Sequence, residues 1–425
     1  MMKLLTFVIL SFLAVSTVSA QSPDTVQRVD MQRQNTKAQQ QKPYVILISI
    51  DGFRYDYMQR HHAEHLQQLS KSGVRATEMI PSFPSLTFPN HYTLVTGLYP
   101  AHHGLVQNQF WDRNFKERYY YKGKTTTEGK WYGGTPLWVL AEKQHMLSSS
   151  FYWVGSEAPI QGVYPTYYYK YNESIPIHER IGAVVNWLKQ PAERRPHLIT
   201  FYFPEVDHEG HHHGPDSKEN VAAIHFVDSA INELNKAVEK TGLKVNFVVV
   251  SDHGMGYDDT VNALPTPAVA TDTTKFIRAD EGVLIHLYAK DQSDVKPAYD
   301  QIKAEAKGYE VYLRDSVPAY LHYGAKDDWH NHIGDIILIP EWPRTFNTNH
   351  RKIDPGAHGF DPYKVRDMHA TFLAWGPNFK KNLVIPAFQN IDIYPMIVRL
   401  LGLKLEDKID GTDELARKVL LKKNN

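Results

Sequence analysis

Four short stretches of the sequence end in side chains that bind metals or move protons. Asp51 follows the apolar run Tyr44–Ile50 and precedes Gly52. Asp207-His208-Glu209-Gly210-His211-His212-His213 follows the apolar run 197–203, and Ser251-Asp252-His253-Gly254 follows Val245–Val250. His358 stands between glycines in Gly356-Ala357-His358-Gly359. The chain has no cysteine, so disulfides and thiolate chemistry are excluded. Carboxylate plus imidazole is the ligand set that zinc takes in that case. Asp207 and His211 are one helical turn apart, close enough to share an ion, although three consecutive histidines leave the choice among them open. Each stretch has a plainer reading: a turn aspartate, a helix cap, a solvated histidine. A fifth stretch, Ser82 to His91, holds Thr87 where a loop turns into a helix-compatible segment closing on Gly97. Such a threonine is commonly an N-cap. A helix N-terminus also favours an anion, and a metal on the hydroxyl would make it a nucleophile.

The elements that must position these groups follow from the pattern. Tyr44–Ile50, 197–203 and Val245–Val250 are continuous apolar runs of strand length, typical of a buried parallel sheet. Ile333–Ile339 and Thr371–Trp375 predict further strands of that sheet. Ile177–Leu188 and Asn220–Glu239 carry apolar stripes of helical period. Alternating strands and helices predict an α/β fold with helices on both faces. Ligands of such folds bind beyond the carboxyl ends of the strands, where Asp51, Asp207 and Asp252 would meet. Residues 255–345 look different and read as an inserted smaller lobe that returns to the main sheet near 333.

Lys+Arg and Asp+Glu both number 47, giving zero net charge. A long nucleic acid is therefore not the expected partner, since gripping its backbone calls for a basic excess. Met1-Met2-Lys3, an apolar run over Leu4–Val15 and small residues ending at Ala20 have the pattern of a cleaved secretory signal. The expected location is the periplasm or the medium, without a stable membrane anchor. Residues 21–42 are polar and glutamine-rich, a flexible lead-in to a catalytic domain over 43–425.

Seven segments together carry a family resemblance: IDGFR (50–54), PSFPSLTFPNHYTLVTGLYPAHHG (81–104), TPLWVLAEKQ (135–144), YNESIP (171–176), EVDHEGHHHGP (205–215), SDHGM (251–255) and GAHGFD (356–361). In this order they resemble the nucleotide pyrophosphatase/phosphodiesterase family of the alkaline phosphatase superfamily, from Tyr44 to at least Gly402. The resemblance implies an alkaline phosphatase-like core and two zinc ions. Asp207, His211 and His358 would hold one. Asp51, Asp252, His253 and the Thr87 hydroxyl would hold the other. It makes Thr87 the nucleophile that forms a phosphothreonine intermediate. Asn108 becomes a donor to a phosphate oxygen, Phe88 and Tyr171 the pair bracketing a base, and Tyr202 part of the pocket wall. Val206 departs from the proline many relatives have before the metal aspartate. The missing cysteines suggest a bacterial-type, single-domain member.

The implied substrates are nucleotide diesters and pyrophosphates, cut to nucleoside 5′-monophosphates. A choline-phosphodiester or lysophospholipid phosphodiesterase is the alternative on the same fold. A monoesterase or a non-catalytic metal-binding protein fits less well. Residues 153–160, where superfamily monoesterases place cations, contain no cation and one acid, Glu157.

Overall fold

The computed structural model describes residues 24–348 and 351–422. The expected export signal, residues 1–20, lies outside the described residues. Tyr44–Ile50 lies between Leu198–Phe203 and Val245–Val250 and runs parallel to both. Ile50 is opposite Phe203, and Ser49 is opposite Val250. The three carboxyl ends therefore finish side by side, and the acids that follow them share one edge of the sheet.

Both faces of these strands are covered, which is why the runs are apolar throughout. Val45 and Leu47 pack into one core with Tyr92, Leu94 and Val95 of the helix Thr87–Thr96 and with Ile393 and Ile397 of the helix Ile393–Leu401. Ile46, Ile48 and Ile50 pack into the opposite core with Ile181 and Val184 of Ile177–Leu188 and with Ile224, Val227 and Ile231 of Lys218–Glu239. Beyond the central three, Ser148–Phe151 and Tyr167–Tyr169 extend the parallel part on one side. On the other side Phe372–Trp375 is antiparallel to Val245–Val250, followed by Val74–Ala76 and Leu383–Ile385. The result is a mainly parallel α/β sheet of nine strands. No helix among the described residues is long and apolar enough to cross a membrane.

Two expectations need correction. The 333–339 run does not rejoin the main sheet. Ile336–Pro340 is an inner strand of a separate four-stranded sheet, between Ile285–Ala289 and Tyr309–Leu313, with Phe276–Asp280 at the edge. Its continuous apolar character has another cause. Ile336 and Leu338 face Ala298 and Ile302 of the helix Val295–Glu305, while Ile337 and Ile339 belong to the main core. A strand buried on both faces reads the same in either sheet.

Residues 24–42, expected as a flexible lead-in, are seated on the domain; 21–23 lie outside the described residues. Arg28–Val29 adds an antiparallel edge strand to Tyr167–Tyr169. The buried Asn35 side chain donates to the carbonyls of Ala192 and Arg195 at 3.0 and 2.7 Å and accepts from Leu147 N–H at 2.7 Å. Hydrogen bonds rather than apolar burial hold this segment, so hydropathy does not reveal it.

Candidate active site

The first group of metal-capable side chains is built on the helix Glu205–His213, which starts just past the Leu198–Phe203 strand. Asp207 and His211 share one face of it, with Nε2 3.5 Å from Oδ1. His358 Nε2 approaches the same oxygen at 3.5 Å. His212 and His213 face Asp354 and Glu209 instead, at 3.7 and 3.5 Å. Gly356 makes the approach of His358 possible: a Cβ there would stand 2.0 Å from Gly210 O. Its carbonyl accepts from His211 Nδ1 at 2.8 Å, and His358 Nδ1 donates to Ser85 O at 2.9 Å.

The second group is Asp51, Asp252 and His253, at the ends of two adjacent strands. Gly52 lets it abut the first: its φ is +67°, and a Cβ would come within 2.9 Å of Asp207 Cα. Gly52 N–H donates to Asp252 Oδ1 at 3.2 Å, and Tyr202 OH donates to Asp51 Oδ2 at 2.5 Å. His253 Nδ1 donates to Gly254 O at 2.8 Å, which turns Nε2 toward Asp252 Oδ2 at 3.0 Å and Asp51 Oδ1 at 3.4 Å. Thr87, the first residue of its helix, places Oγ1 3.2 Å from that same nitrogen. The loop before Thr87 is stitched by Asn90, whose amide accepts from Ser82 N–H and donates to the Pro84 and Leu86 carbonyls.

This arrangement leaves buried lone pairs unpaired among the described residues. In each group the ligand atoms lie within 4.8 Å of one another. His211 and His358 both spend their Nδ1 proton on a carbonyl, so their Nε2 lone pairs face each other at 2.9 Å. Asp51 Oδ1, Asp207 Oδ1 and Asp252 Oδ2 are buried with no hydrogen-bond donor among the described residues. His91 Nδ1 comes within 3.1 Å of Asp252 Oδ2 but aims its proton at Thr87 O, 3.0 Å away. An unsatisfied buried carboxylate oxygen costs more than about 1–3 kcal/mol, and three converge here. Burial, then Asp252 and Asp207, push the Asp51 carboxyl well above its usual range. Burial, His253 and His211 hold His358 well below the usual imidazole value, as a neutral ligand would be. The donor set therefore fits two divalent cations with nitrogen and oxygen preferences.

Over these groups opens a cavity of about 750 Å³ lined by Thr87, Phe88, Asn108, Tyr171 and Tyr202. Asn108 Oδ1 accepts from Phe88 N–H at 3.0 Å, so its Nδ2 remains as a donor. Tyr171 rests against Tyr202, ring centroids 6.0 Å apart, and its hydroxyl donates to Glu173 Oε1. Sequence reasoning places Tyr202 only in the wall, whereas its hydroxyl holds a candidate metal ligand. It also misses His91, Tyr121, Lys122, Tyr152 and Glu173. His91, one turn after Thr87, bonds Ser49 at 2.8 Å, and the other four line the cavity. A histidine at that helical spacing is the one signal that could have been used. Lys122 is the one lysine or arginine among the described lining residues.

The chain is similar to known phosphodiesterases. Residues 45–361 match the family model described as type I phosphodiesterase/nucleotide pyrophosphatase. Human ectonucleotide pyrophosphatase/phosphodiesterase family member 1 is 33% identical over 374 residues, 85% of this chain and 40% of the relative. The venom phosphodiesterase of Macrovipera lebetinus is 32% identical over 385 residues, 85% of this chain and 43% of the relative. The chain thus spans less than half the length of these curated relatives. Among solved structures, murine ectonucleotide pyrophosphatase/phosphodiesterase 5 superposes with a TM-score of 0.82 at 27% identity, covering 88% of this chain and 100% of that one. An inactive variant of the same mouse protein, solved in complex with AMP, superposes with the same TM-score of 0.82 over 89% of this chain.

Proposed function

We propose that this chain, which belongs to the type I phosphodiesterase/nucleotide pyrophosphatase family, is a two-zinc phosphodiesterase. Its substrates are nucleotide diesters and pyrophosphates, hydrolysed to nucleoside 5′-monophosphates. One observation carries this reading: two clusters of carboxylate and imidazole, with unsatisfied lone pairs, flank a threonine hydroxyl at a helix start. Asp207, His211 and His358 would hold one ion. Asp51, Asp252, His253 and the Thr87 hydroxyl would hold the other. When bound, zinc lowers the pKa of a coordinated hydroxyl and neutralises charge at phosphorus.

Thr87 Oγ releases its proton to solvent and bonds to phosphorus while the opposite phosphorus–oxygen bond breaks in line, and the leaving group departs with the electron pair. Water then cleaves the phosphothreonine and restores the hydroxyl. Asn108 Nδ2 donates to a non-bridging oxygen in the transition state, the free half of an amide whose Oδ1 is tied to Phe88 N–H. Phe88 and Tyr171 bracket the base, and Tyr202 steadies Asp51. Among the described residues the wall offers one lysine or arginine, Lys122, and three acids besides the candidate metal ligands, Glu157, Glu173 and Asp354. That lining suits a diester monoanion better than a monoester dianion. The protein acts after export, on the strength of its first twenty residues.

A second reading draws on those acids. Glu157 and Glu173 beside Tyr152, Tyr171 and Tyr202 also suit a quaternary ammonium group, as in a choline phosphodiester. Turnover of the nitrophenyl esters of AMP and of phosphocholine by the zinc-loaded protein separates the two. The nucleotide reading expects the AMP ester to be preferred; a preference for the choline ester would replace it with the second.

A further inference from the structure

Tyr171 reaches the cavity from a stretch with little to hold it. Between Tyr169, the last residue of its strand, and the buried Ile175 the chain forms neither strand nor helix. Lys170, Tyr171, Glu173 and Ser174 are exposed. A stretch with so few buried apolar contacts opens locally at low cost unless hydrogen bonds close it. The half-buried Asn172 supplies them. Its carbonyl accepts from Tyr152 OH at 2.5 Å, and its Oδ1 accepts from the Ser174 N–H and hydroxyl at 3.0 and 2.8 Å. Its Nδ2 donates to Asp24 O at 3.1 Å. Glu157 Oε1 adds one bond, accepting from Tyr171 N–H at 2.6 Å.

Asp24 belongs to the segment that covers the edge of the main sheet. Arg28–Val29 pairs with the strand Tyr167–Tyr169 that delivers Tyr171, and Asp30 N–H donates to Thr166 O at 2.8 Å. Gln27 Oε1 accepts from Trp187 Nε1 at 3.0 Å. That indole is buried, with ring centroids 6.3, 6.3 and 6.1 Å from those of Phe151, Tyr167 and Tyr169. Asp24 itself is fixed at both carboxylate oxygens. Oδ2 accepts from Arg28 at 2.5 Å and Oδ1 from Val26 N–H at 3.1 Å. The segment thus lies along the strand before Tyr171 and presents a fixed carbonyl to the residue after it.

We infer that Asn172 is a positioning residue for Tyr171 and that residues 24–29 are its support, holding one wall of the cavity although they do not line it. This rests on the reading of Tyr171 as half of a base platform. A ring that must be ordered at the moment of binding subtracts that cost from affinity, and a ring held in place beforehand does not.

The test compares two zinc-loaded variants with wild type. Asn172→Asp removes the donor to Asp24 O and keeps the acceptors that Tyr152 and Ser174 use. Gln27→Ala/Arg28→Ala cuts the segment's ties to Trp187 and Asp24. Gln39→Ala is the control, since it loses a 2.8 Å bond from the same lead-in to Gln144 O and none to the Tyr171 stretch. The nitrophenyl ester of AMP carries a base and methyl nitrophenyl phosphate does not. Both are monoanions at phosphorus, so a change in local charge acts on both alike. The quantity read is the ratio of their kcat/KM values. One lost hydrogen bond predicts a fall of about two- to tenfold in each variant, carried by KM of the AMP ester, with the control ratio unchanged. Combining the two variants should cost little beyond the larger single loss, because both cut one connection. A ratio unchanged in either variant, an equal fall in the control, a fall carried by kcat, or losses that simply add would overturn the inference. If Tyr171→Ala itself leaves the ratio unchanged, the base-platform reading falls separately. The positioning role is then judged by hydrogen exchange over residues 170–174. Faster exchange in both variants upholds it, and exchange at the wild-type rate rejects it.

Discussion

Tyr202→Phe removes one oxygen and nothing else. The Tyr202 hydroxyl donates to Asp51 Oδ2 at 2.5 Å, and burial followed by the Asp51 charge keeps it protonated. Its ring meets His91 and Tyr171 at 5.2 and 6.0 Å, contacts that phenylalanine retains. Without the hydroxyl, both Asp51 oxygens lack a donor, since Oδ1 already has none. A hydrogen bond to a charged acceptor contributes roughly 1.5–3 kcal/mol, and outer partners of metal ligands carry about 10–100-fold in affinity. Zinc affinity at the Asp51 group should therefore fall about 10–100-fold. The sign of the pH dependence also follows. Burial, Asp252 and Asp207 raise the Asp51 pKa, and the Tyr202 hydrogen bond lowers it. Losing that bond strengthens proton competition, so the deficit should widen as pH falls. Chelator-competition titration of zinc at several pH values measures this. Tyr152→Phe is the control: its hydroxyl, on the same cavity, donates to Asn172 O at 2.5 Å and touches no candidate ligand. Equal zinc affinity in wild type and both variants would refute the reasoning.

Chelation should abolish activity and zinc should restore it; His211→Ala should cost far more zinc and turnover than His212→Ala or His213→Ala, because only His211 faces Asp207 and His358. Parity among the three would reject the ligand choice. Phe88→Ala and Tyr171→Ala should weaken nucleotide diesters by about 1–3 kcal/mol in kcat/KM and spare the methyl nitrophenyl diester, with equal losses arguing against a base platform. The nitrophenyl ester of a nucleotide should be cleaved with higher kcat/KM than nitrophenyl phosphate, and the reverse order would contradict the single-cation wall.

Much of this site is legible in the sequence because each ligand stands next to an element with its own signal. Tyr44–Ile50 and Val245–Val250 announce Asp51 and Asp252 by delivering them to strand ends, and the spacing of Asp207 and His211 is that of a helix turn. The choice of His211 over His212 and His213 comes from the family resemblance and not from local chemistry, since it depends on which way a helix presses against Gly356. Lys122 and Glu173 reach the site through contacts between distant segments, which local pattern does not encode. The smaller sheet misled for a physical reason: Ile336–Pro340 is buried on one face by its own helix and on the other by the main core. The anchored segment after residue 23 was missed because Asn35 holds it through hydrogen bonds, to which hydropathy is blind.

The most direct test concerns Thr87 as the nucleophile. Zinc-loaded enzyme mixed with the nitrophenyl ester of AMP and quenched in acid within the first turnover should carry a nucleotidyl mass addition on the peptide containing Thr87. Thr87→Ala should show no adduct and no turnover while keeping its fold and much of its zinc, and Thr87→Ser should retain part of the activity. A quenched enzyme with its adduct on another residue, or a Thr87→Ala variant turning over at the wild-type rate, would contradict the mechanism.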